Sequence, residues 1–177
     1  MPDYRRNRVP GGTYFFTVTL HDRRSNLLVT NIEALRTSVR KVRTRAPFYI
    51  DAWVVLPDHM HCLWTLPEGD ADFPGGWQAI KKDFSKATPT GEPRSTVMIS
   101  RGERGIWQRR YWEHTIRDDR DYAAHMDYAH FNLVKHGLVQ EVADWPFSSF
   151  HRCVRRGFYP SAWQGGVDEL HVVGEPS

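Results

Sequence analysis

The sequence lacks the features that mark secreted, membrane-spanning and repetitive proteins. Its two cysteines, Cys62 and Cys153, are too few for a disulfide framework, and reduced thiols in the cytoplasm are the simplest interpretation. The basic N-terminal segment has no apolar stretch of signal-peptide type behind it, and no run is long and apolar enough to span a bilayer. Internal repeats and low-complexity tracts are also lacking. We therefore expect a cytoplasmic protein with no membrane partner.

What the chain does contain is enough apolar material for a core. A length of 177 residues fits one domain, or one domain with a tail. With 40% hydrophobic and 25% charged residues, the composition excludes intrinsic disorder. Lysine and arginine exceed aspartate and glutamate by 24 to 21, which is a weak indication of a nucleic-acid partner. The aromatic content of 13% fits either a packed core or platforms for stacking bases.

Hydrophobic periodicity and turn signals predict seven elements before an aromatic and basic tail. In chain order they are a strand at 13–20, a helix at 32–45 capped by Asn31, strands at 48–56 and 59–66, a helix at about 76–87, an extended segment with a strand at 106–116, and a helix at 118–136. The first six follow the βαββαβ order of the ferredoxin-like fold, an α+β class with an antiparallel sheet and helices on one face. The opposite face would then be open to a ligand, as in RNA-recognition domains.

The seventh element adds a C-terminal helix to this pattern. The predicted domain therefore spans residues 1–137. Residues 88–105 contain Pro, Gly, Ser and Arg without any period, which predicts a mobile loop. Residues 138–177 are expected to form an irregular tail packed on the domain.

The sharpest local feature is His59-Met60-His61 in the third strand. Alternate side chains of a strand share a face, so both imidazoles point one way while Met60 and Cys62 point the other. Two imidazoles on one face suit a divalent metal, and histidines inside an apolar strand need a reason to be there. The pair alone is a weak signal, because such pairs occur by chance. Strand alternation disfavours Cys62 as a further ligand.

The second feature lies on the last predicted helix, where Tyr128 and Asn132 are four residues apart and so share a face. A tyrosine one turn from an amide oxygen could pair a nucleophile with a third metal ligand. The alternative is that Tyr128 packs in the core and Asn132 makes local hydrogen bonds. Rival tyrosines and further candidate ligands are Tyr111, Tyr122, His114 and His125.

Together the two features suggest phosphodiester chemistry. A tyrosine can attack a DNA phosphodiester and form a phosphotyrosine link. Its phenol has a pKa near ~10, so it needs a base, a metal or a cationic site to activate it. A metal on His59 and His61 would polarise the scissile phosphate, and a mixed site with oxygen ligands suits Mg²⁺ or Mn²⁺.

Six segments together resemble the REP-associated tyrosine transposases, relatives of the single-strand insertion-sequence transposases in the HUH nuclease superfamily. They are YRRN near the start, GGTYFFTVTL, AWVVLPDHMHCLWTLPEGD, IWQRRYWEH, DYAHFNLVKHG and DWPFSSFHR. The resemblance runs from Tyr4 to Trp163, and the combination is specific although the histidine pair alone is not.

The resemblance implies a metal-dependent single-stranded DNA endonuclease and strand transferase that works through a 5′-phosphotyrosine intermediate. Its substrates would be repetitive extragenic palindromes, which fold as hairpins. By motif position His59 and His61 match the metal-binding histidines, Tyr128 matches the nucleophile, and Asn132 falls where a polar residue completes the metal site. The resemblance also favours a monomer over a dimer, acting on the nucleoid.

One departure from the family pattern follows the candidate third ligand. Many relatives have Asn-Pro where this chain has Asn132-Leu133. Proline would shape the helix locally, whereas leucine restores an amide donor and lets the helix run straighter.

Candidate DNA contacts come from four basic groups. They are Arg5, Arg6 and Arg8 before the first strand, Lys81 and Lys82 on the second long helix, Arg109 and Arg110 beside aromatic residues, and Arg152 in the tail. A basic arm can track phosphates, and cations interleaved with rings suit unpaired bases. The alternative is that the rings of Trp107 and Trp112 are core and the arginines only solubilise the chain.

Two other functions remain open from the residues alone. The same sheet could belong to a non-catalytic module that binds single-stranded DNA or RNA hairpins, with Tyr128 only packing. A metal hydrolase that uses water as its nucleophile would leave no covalent adduct on the protein. A covalent DNA adduct that forms only when Tyr128 is present would distinguish the strand transferase from both the binding module and the hydrolase.

Overall fold

The computed structural model of the protein describes residues 6–89, 91 and 93–165. Its elements are β1 (Thr13–Thr19), α1 (Leu27–Thr30), α2 (Ile32–Arg45), β2 (Tyr49–Val55), β3 (His59–Thr65), α3 (Phe73–Ala87), α4 (Thr96–Ser100), β4 (Trp112–Thr115), α5 (Asp119–Lys135) and α6 (Phe150–Arg155), with a 3₁₀ turn at Val142–Asp144. Each of the seven predicted elements is present, with ends displaced by a few residues. Within these residues, no helix has the length and apolar character that crossing a membrane requires.

The four strands form one sheet in the order β2–β3–β1–β4, and each neighbouring pair is antiparallel. This order confirms the predicted α+β, ferredoxin-like arrangement. The register places Thr17 of β1 opposite His61 of β3, and Phe15 of β1 opposite His114 of β4. Because side chains alternate along a strand, these four residues project from the same face of the sheet.

The other face of the sheet carries the larger hydrophobic core, beneath α2 and α3. Trp64 of β3 is fully buried there, with its ring 3.9 Å from Phe48 and 4.3 Å from Trp77 between centroids. Stacked aromatic pairs of this kind add about 0.5–1.5 kcal/mol each beyond the area that they bury. Met60 and Cys62 project into this core, as strand alternation predicts.

The expectation of an open sheet face is wrong, because α5 covers it. Phe15 and Leu63 from the sheet pack against Ala129 and Leu133 of α5, and all four are fully buried. The predicted helix carries apolar positions on one side, and that side needs an apolar partner. The site is therefore an interface between the sheet and α5 and not an exposed sheet surface.

The helix starts show how short-range capping decides boundaries. Asp72 accepts a hydrogen bond from the amide of Gly75, so α3 begins at Phe73, earlier than predicted. Asp118 does the same for the amide of Asp121 at the start of α5. Asn31 does occupy the N-cap of α2, as predicted, but its side chain makes no capping bond. The side chain donates instead to the carbonyl of Leu27 in α1, a helix that the sequence did not predict.

The tail is more regular than expected over residues 138–165. It contains the 3₁₀ turn and α6, and its residues 147–149 follow the outer edge of β2. The amide of Val55 donates to Phe147, and the amide of Ser149 donates to Trp53. These bonds cover part of a strand edge that would otherwise be exposed. Gly137, with φ at 69°, ends α5, and the proposed domain boundary there stays a prediction.

Candidate active site

The predicted histidine pair opens β3 on the sheet face that α5 covers. The rings of His59 and His61 lie 5.0 Å apart between centroids, nearly perpendicular to each other. Both side chains are buried, at 5% and 1% exposure. Each ring is held through Nδ1, so Nε2 is the nitrogen that can bind a metal.

His61 is held by the neighbouring strand. Its Nδ1 lies 2.9 Å from the hydroxyl of Thr17, and its ring stacks on Phe15 at 5.6 Å. Burial, followed by the nearby His59, holds the pKa of His61 well below its usual value, while a contact with Asn132 opposes the change. The imidazole is therefore neutral at physiological pH, which is the form that coordinates a metal.

His59 is oriented by a carboxylate beside it in the chain. Its Nδ1 donates to Asp58 over 2.8 Å, and Asp58 also accepts a 2.6 Å bond from Arg23. Burial acts to raise the pKa of Asp58, but these two hydrogen bonds lower it to about 2. A carboxylate behind an imidazole is the usual way in which metal-binding histidines are oriented.

Helix α5 brings the predicted tyrosine to the same place. The ring of Tyr128 lies 5.4 Å from His61 and 5.8 Å from Phe15, and it is partly exposed. The ammonium of Lys135, two turns further on, lies 5.4 Å above the same ring. The candidate nucleophile and the histidine pair thus come together within one chain, with a cation nearby.

Asn132 completes the group, which we call the histidine–tyrosine site (His59, His61, Tyr128, Asn132). Its side chain is 1% exposed, and apart from its contact with His61 neither amide atom has a hydrogen-bond partner in the described residues. Burying an amide without partners is costly, so a ligand for its oxygen would remove that cost. Two imidazole nitrogens and an amide oxygen fit a divalent ion such as Mg²⁺ or Mn²⁺.

Sequence reasoning missed His136, which follows α5. Its ring lies 5.2 Å from that of His59. Burial, followed by His59, lowers its pKa. The signal was present in the spacing, because positions 128, 132 and 136 fall four residues apart on one helix face.

The rival tyrosines lie elsewhere. Tyr122 donates its hydroxyl to Asp51 over 2.9 Å. Tyr111 precedes β4 and packs against the core under α2 and α3. Among the three candidates, Tyr128 is the one whose ring contacts the histidine pair.

The basic arm is partly described, since Arg5 lies outside the described residues. Arg6 pairs with Glu113 at 3.1 Å and lies 4.2 Å above the ring of Tyr111. Arg8 is exposed. The arm therefore runs along β4, with one guanidinium fixed and one in solvent.

Lys81 is the most unusual of the candidate DNA contacts. Its ammonium donates to the carbonyl of Gln108 and lies 5.2 Å from the ring centre of Tyr111. Burial, followed by the charge of Arg6, lowers its pKa to about 8. The neighbouring Lys82 is exposed.

The remaining arginines fall into two kinds. Arg109 and Arg110 are exposed, and Arg109 pairs with Glu103 at 3.0 Å. Arg152 instead donates to the carbonyls of Ile50 and Asp51, at 2.8 and 3.0 Å, and so ties α6 to β2. Trp107 is partly buried against the main core, and Trp112 packs on the α5 side of the sheet.

A second group of polar side chains, the edge cluster (His114, Asp121, His125), joins β4 to the first two turns of α5. The carboxylate of Asp121 lies 2.8 Å from Nε2 of His114 and 3.1 Å from Nδ1 of His125. Burial would raise the pKa of Asp121, but the hydrogen bond from His114 and one from the amide of Arg117 lower it. The two imidazoles stack at 4.4 Å, and the donor atoms of the three side chains all lie within 4.8 Å of one another.

The chain is similar to two curated proteins over almost its whole length. It is 52% identical over 170 residues to the REP-associated tyrosine transposase of Escherichia coli (strain K12), which covers 96% of this chain and 95% of that protein. It is 42% identical over 176 residues to a putative REP-associated tyrosine transposase of Haemophilus influenzae (strain ATCC 51907 / DSM 11121 / KW20 / Rd), covering 99% of each.

A solved structure has the same fold. It is described as a REP-associated tyrosine transposase bound to a REP hairpin, and it superposes with a TM-score of 0.84 at 49% identity, covering 100% of this chain and 99% of that one. No protein-family model matches the sequence.

Proposed function

The chain belongs to the REP-associated tyrosine transposases, and from this premise we propose that it cleaves and rejoins single-stranded DNA at REP-type hairpins through a 5′-phosphotyrosine. One observation carries the proposal. Tyr128 lies 5.4 Å from His61 in a site that also holds His59 and the buried Asn132. A nucleophile beside three metal-type ligands is the arrangement that this chemistry requires.

In the proposed cleavage step, the phenolic oxygen of Tyr128 attacks the phosphorus of a phosphodiester. A bond forms between that oxygen and phosphorus, and the bond from phosphorus to the 3′ oxygen of the preceding nucleotide breaks. The phenol loses its proton, and the departing oxygen gains one to become a 3′-hydroxyl. Attack by a 3′-hydroxyl on the phosphotyrosine reverses the step. Because one ester replaces another, strand transfer needs no nucleotide cofactor.

The chain's own residues supply orientation and charge for this step. His59 and His61 present Nε2, because Asp58 and Thr17 hold their Nδ1 atoms. A Mg²⁺ or Mn²⁺ ion held by these nitrogens and the Asn132 oxygen would supply polarisation of the scissile phosphate. Lys135 adds positive charge 5.4 Å from the centre of the phenol ring, close to the proposed site of attack on the phosphate.

We place the DNA along the basic side of β4, where Arg6 and Lys81 flank the ring of Tyr111. The related structure is bound to a REP hairpin, which supports a hairpin ligand for this chain. Arg8, Lys82, Arg109 and Arg110 are exposed and fit phosphate contacts. Arg152 fits less well, since its guanidinium is bonded to main-chain carbonyls.

The remaining features of the proposal concern the working state. Tyr128 and the histidines meet within one chain, which supports a monomer that supplies its own nucleophile. With a chromosomal hairpin as its substrate, the enzyme would work in the cytoplasm, on the nucleoid.

The test is adduct formation on an end-labelled single-stranded DNA that carries a host palindromic repeat. Wild type, Tyr128→Phe and the matched control Tyr122→Phe are incubated with and without Mg²⁺ or Mn²⁺ and separated on a denaturing protein gel. We expect a metal-dependent covalent adduct with wild type and Tyr122→Phe, and none with Tyr128→Phe.

The other outcomes each contradict the proposal in a defined way. Tight hairpin binding with neither adduct nor cleavage would make the protein a binding module. Cleavage without an adduct in all three proteins would make water the nucleophile. An adduct that persists in Tyr128→Phe and disappears in Tyr122→Phe would move the nucleophile to Tyr122.

A further inference from the structure

The edge cluster has the composition of a transition-metal site, and the proposed reaction does not use it. Its three side chains offer two imidazole nitrogens and one carboxylate from β4 and two successive turns of α5. Asp121 and His125 are four residues apart on the helix and so share a face. His114 reaches the same carboxylate from the strand, at 2.8 Å.

The donor atoms stand close enough together to converge on one tetrahedral ion. The side chain of Asp121 is 8% exposed and that of His125 is 6% exposed, so both are held in place by packing. Ligand atoms around zinc, with bonds of about 2.1 Å, stand about 3.4 Å apart. The two distances from the carboxylate oxygens, 2.8 and 3.1 Å, would widen by a few tenths of an ångström, and the two imidazole nitrogens, which lie within 4.8 Å of each other, would settle at about the same spacing.

The charge of the cluster also favours a cation. The carboxylate of Asp121 gives the cluster a negative charge, and the proton that His114 donates to it can be replaced by a metal ion. Nδ1 of His125 also bonds the main-chain carbonyl of Asp121 over 2.8 Å, and that bond would have to give way when the ion binds. Arg117 is the nearest cation, with Nε 3.5 Å from Asp121, but its side chain is 76% exposed and can turn away. His114 is 22% exposed, which leaves an entry from the β4 edge.

An aromatic side chain separates this cluster from the histidine–tyrosine site. Phe15 stands between the two, with its ring 5.6 Å from His61 and 4.9 Å from His125. Two imidazole nitrogens and one carboxylate with an open position are a common ligand set of zinc-class ions.

We propose that His114, Asp121 and His125 bind a divalent transition metal of the zinc class, at a site separate from the proposed catalytic metal. With three protein ligands, at least one coordination position is left to water. The ion would join β4 to the first turns of α5, one turn before Tyr128. It would therefore stabilise the position of the helix that carries the nucleophile.

The experiment counts metal ions in full-length protein treated with a chelator and then titrated with Co²⁺. The background variant His59→Ala/His61→Ala removes the catalytic histidines, so that any ion retained belongs elsewhere. We expect this variant to keep one Co²⁺ per chain after gel filtration, with visible absorption bands. Adding Asp121→Asn should remove that ion, while adding Asp119→Asn, an exposed carboxylate in the same turn, should not.

A second variant guards against a folding defect. Adding His114→Gln changes the strand side of the cluster, and its circular dichroism reports whether the fold is kept. We also expect Zn²⁺ to raise the Tm of the background variant and to leave the Tm of the version with Asp121→Asn unchanged. A folded background variant that binds no Co²⁺ would overturn the proposal. Bound Co²⁺ that is retained after Asp121→Asn and also after His114→Gln would overturn it as well. Neither result depends on adduct formation at Tyr128.

Discussion

Thr17 and His61 face each other across β1 and β3, with the threonine hydroxyl 2.9 Å from Nδ1 of the imidazole. Asp58 holds Nδ1 of His59 in the same way at 2.8 Å. Both rings therefore have their orientation fixed by the chain before any ligand arrives. Such partners tune metal affinity because they set the direction and basicity of the ligating nitrogen.

Replacing Asp58 should therefore weaken metal use without removing the nucleophile. For Asp58→Asn we expect the Mn²⁺ concentration that gives half-maximal adduct to rise about 10–100-fold, with nearly wild-type adduct at saturating metal. The measurement is adduct yield against Mn²⁺ concentration. Asp22→Asn is the matched control, because Asp22 is exposed and pairs only with Arg24 among its described contacts. Equal curves for the two variants would contradict a role for Asp58 in orienting His59.

Lys81 should destabilise the free protein and strengthen DNA binding. Its folded pKa of about 8 lies below the unfolded value of 10.5, so the unfolded chain binds more protons between these values. Stability therefore rises as the pH is raised from about 8 to about 10.5, and below pH 8 the cost reaches about 3 kcal/mol. Lys81→Met should raise the free energy of unfolding at pH 7 and flatten this rise. Urea unfolding at pH 7 and pH 9.5 measures both effects.

The same substitution tests the DNA contact. If the ammonium meets a phosphate, Lys81→Met weakens hairpin binding and lowers the slope of log affinity against log salt by about one. Wild-type affinity should also fall as the pH rises above about 8, because the free lysine then loses its charge. Lys82→Met serves as the exposed comparison. A Lys81→Met protein with wild-type affinity and slope would remove Lys81 from the interface.

Local sequence patterns predicted the residues of the site better than they predicted the packing around it. Strand alternation placed His59 and His61 together, and helical spacing placed Tyr128 beside Asn132, because both rules act within a few residues. The covered sheet face, by contrast, depends on how α5 packs against β1 and β3, which no local pattern states. His136 was visible in the spacing, but its approach to His59 depends on the turn that ends α5.

The structure of the tail was also beyond prediction from local sequence patterns. Its short α6 and the bonds of residues 147–149 to β2 are tertiary contacts of a segment whose own sequence has no clear period. Helices this short gain little from propensity and form where packing holds them.

Arg152 gives a prediction that separates structural from DNA-contacting arginines. Its guanidinium donates to the carbonyls of Ile50 and Asp51, and hydrogen bonds from charged groups contribute about 1.5–3 kcal/mol each. Arg152→Met should therefore lower the free energy of unfolding by about 2 kcal/mol or more, with an unchanged salt slope of hairpin binding. Arg110→Met, at an exposed position, should leave the free energy of unfolding unchanged and lower the salt slope of hairpin binding. Urea titration measures the free energy of unfolding, and hairpin binding at several salt concentrations measures the salt slope. A weaker salt slope in Arg152→Met would show that Arg152 contacts the DNA after all.

Leu133, the residue after Asn132, links packing to the site. The helix runs through it to Lys135, and its fully buried side chain packs with Phe15 and Leu63. Leu133→Ala should cost about 2–5 kcal/mol of stability, since it leaves a cavity beneath α5. Because Asn132 is the adjacent residue, the same change should raise the metal concentration needed for adduct formation. Leu133→Met keeps the volume and should change both by little. Thermal unfolding measures the change in stability, and adduct yield against Mn²⁺ concentration measures the metal requirement. A destabilised Leu133→Ala protein with an unchanged metal requirement would show that Asn132 is positioned independently of the packing below it.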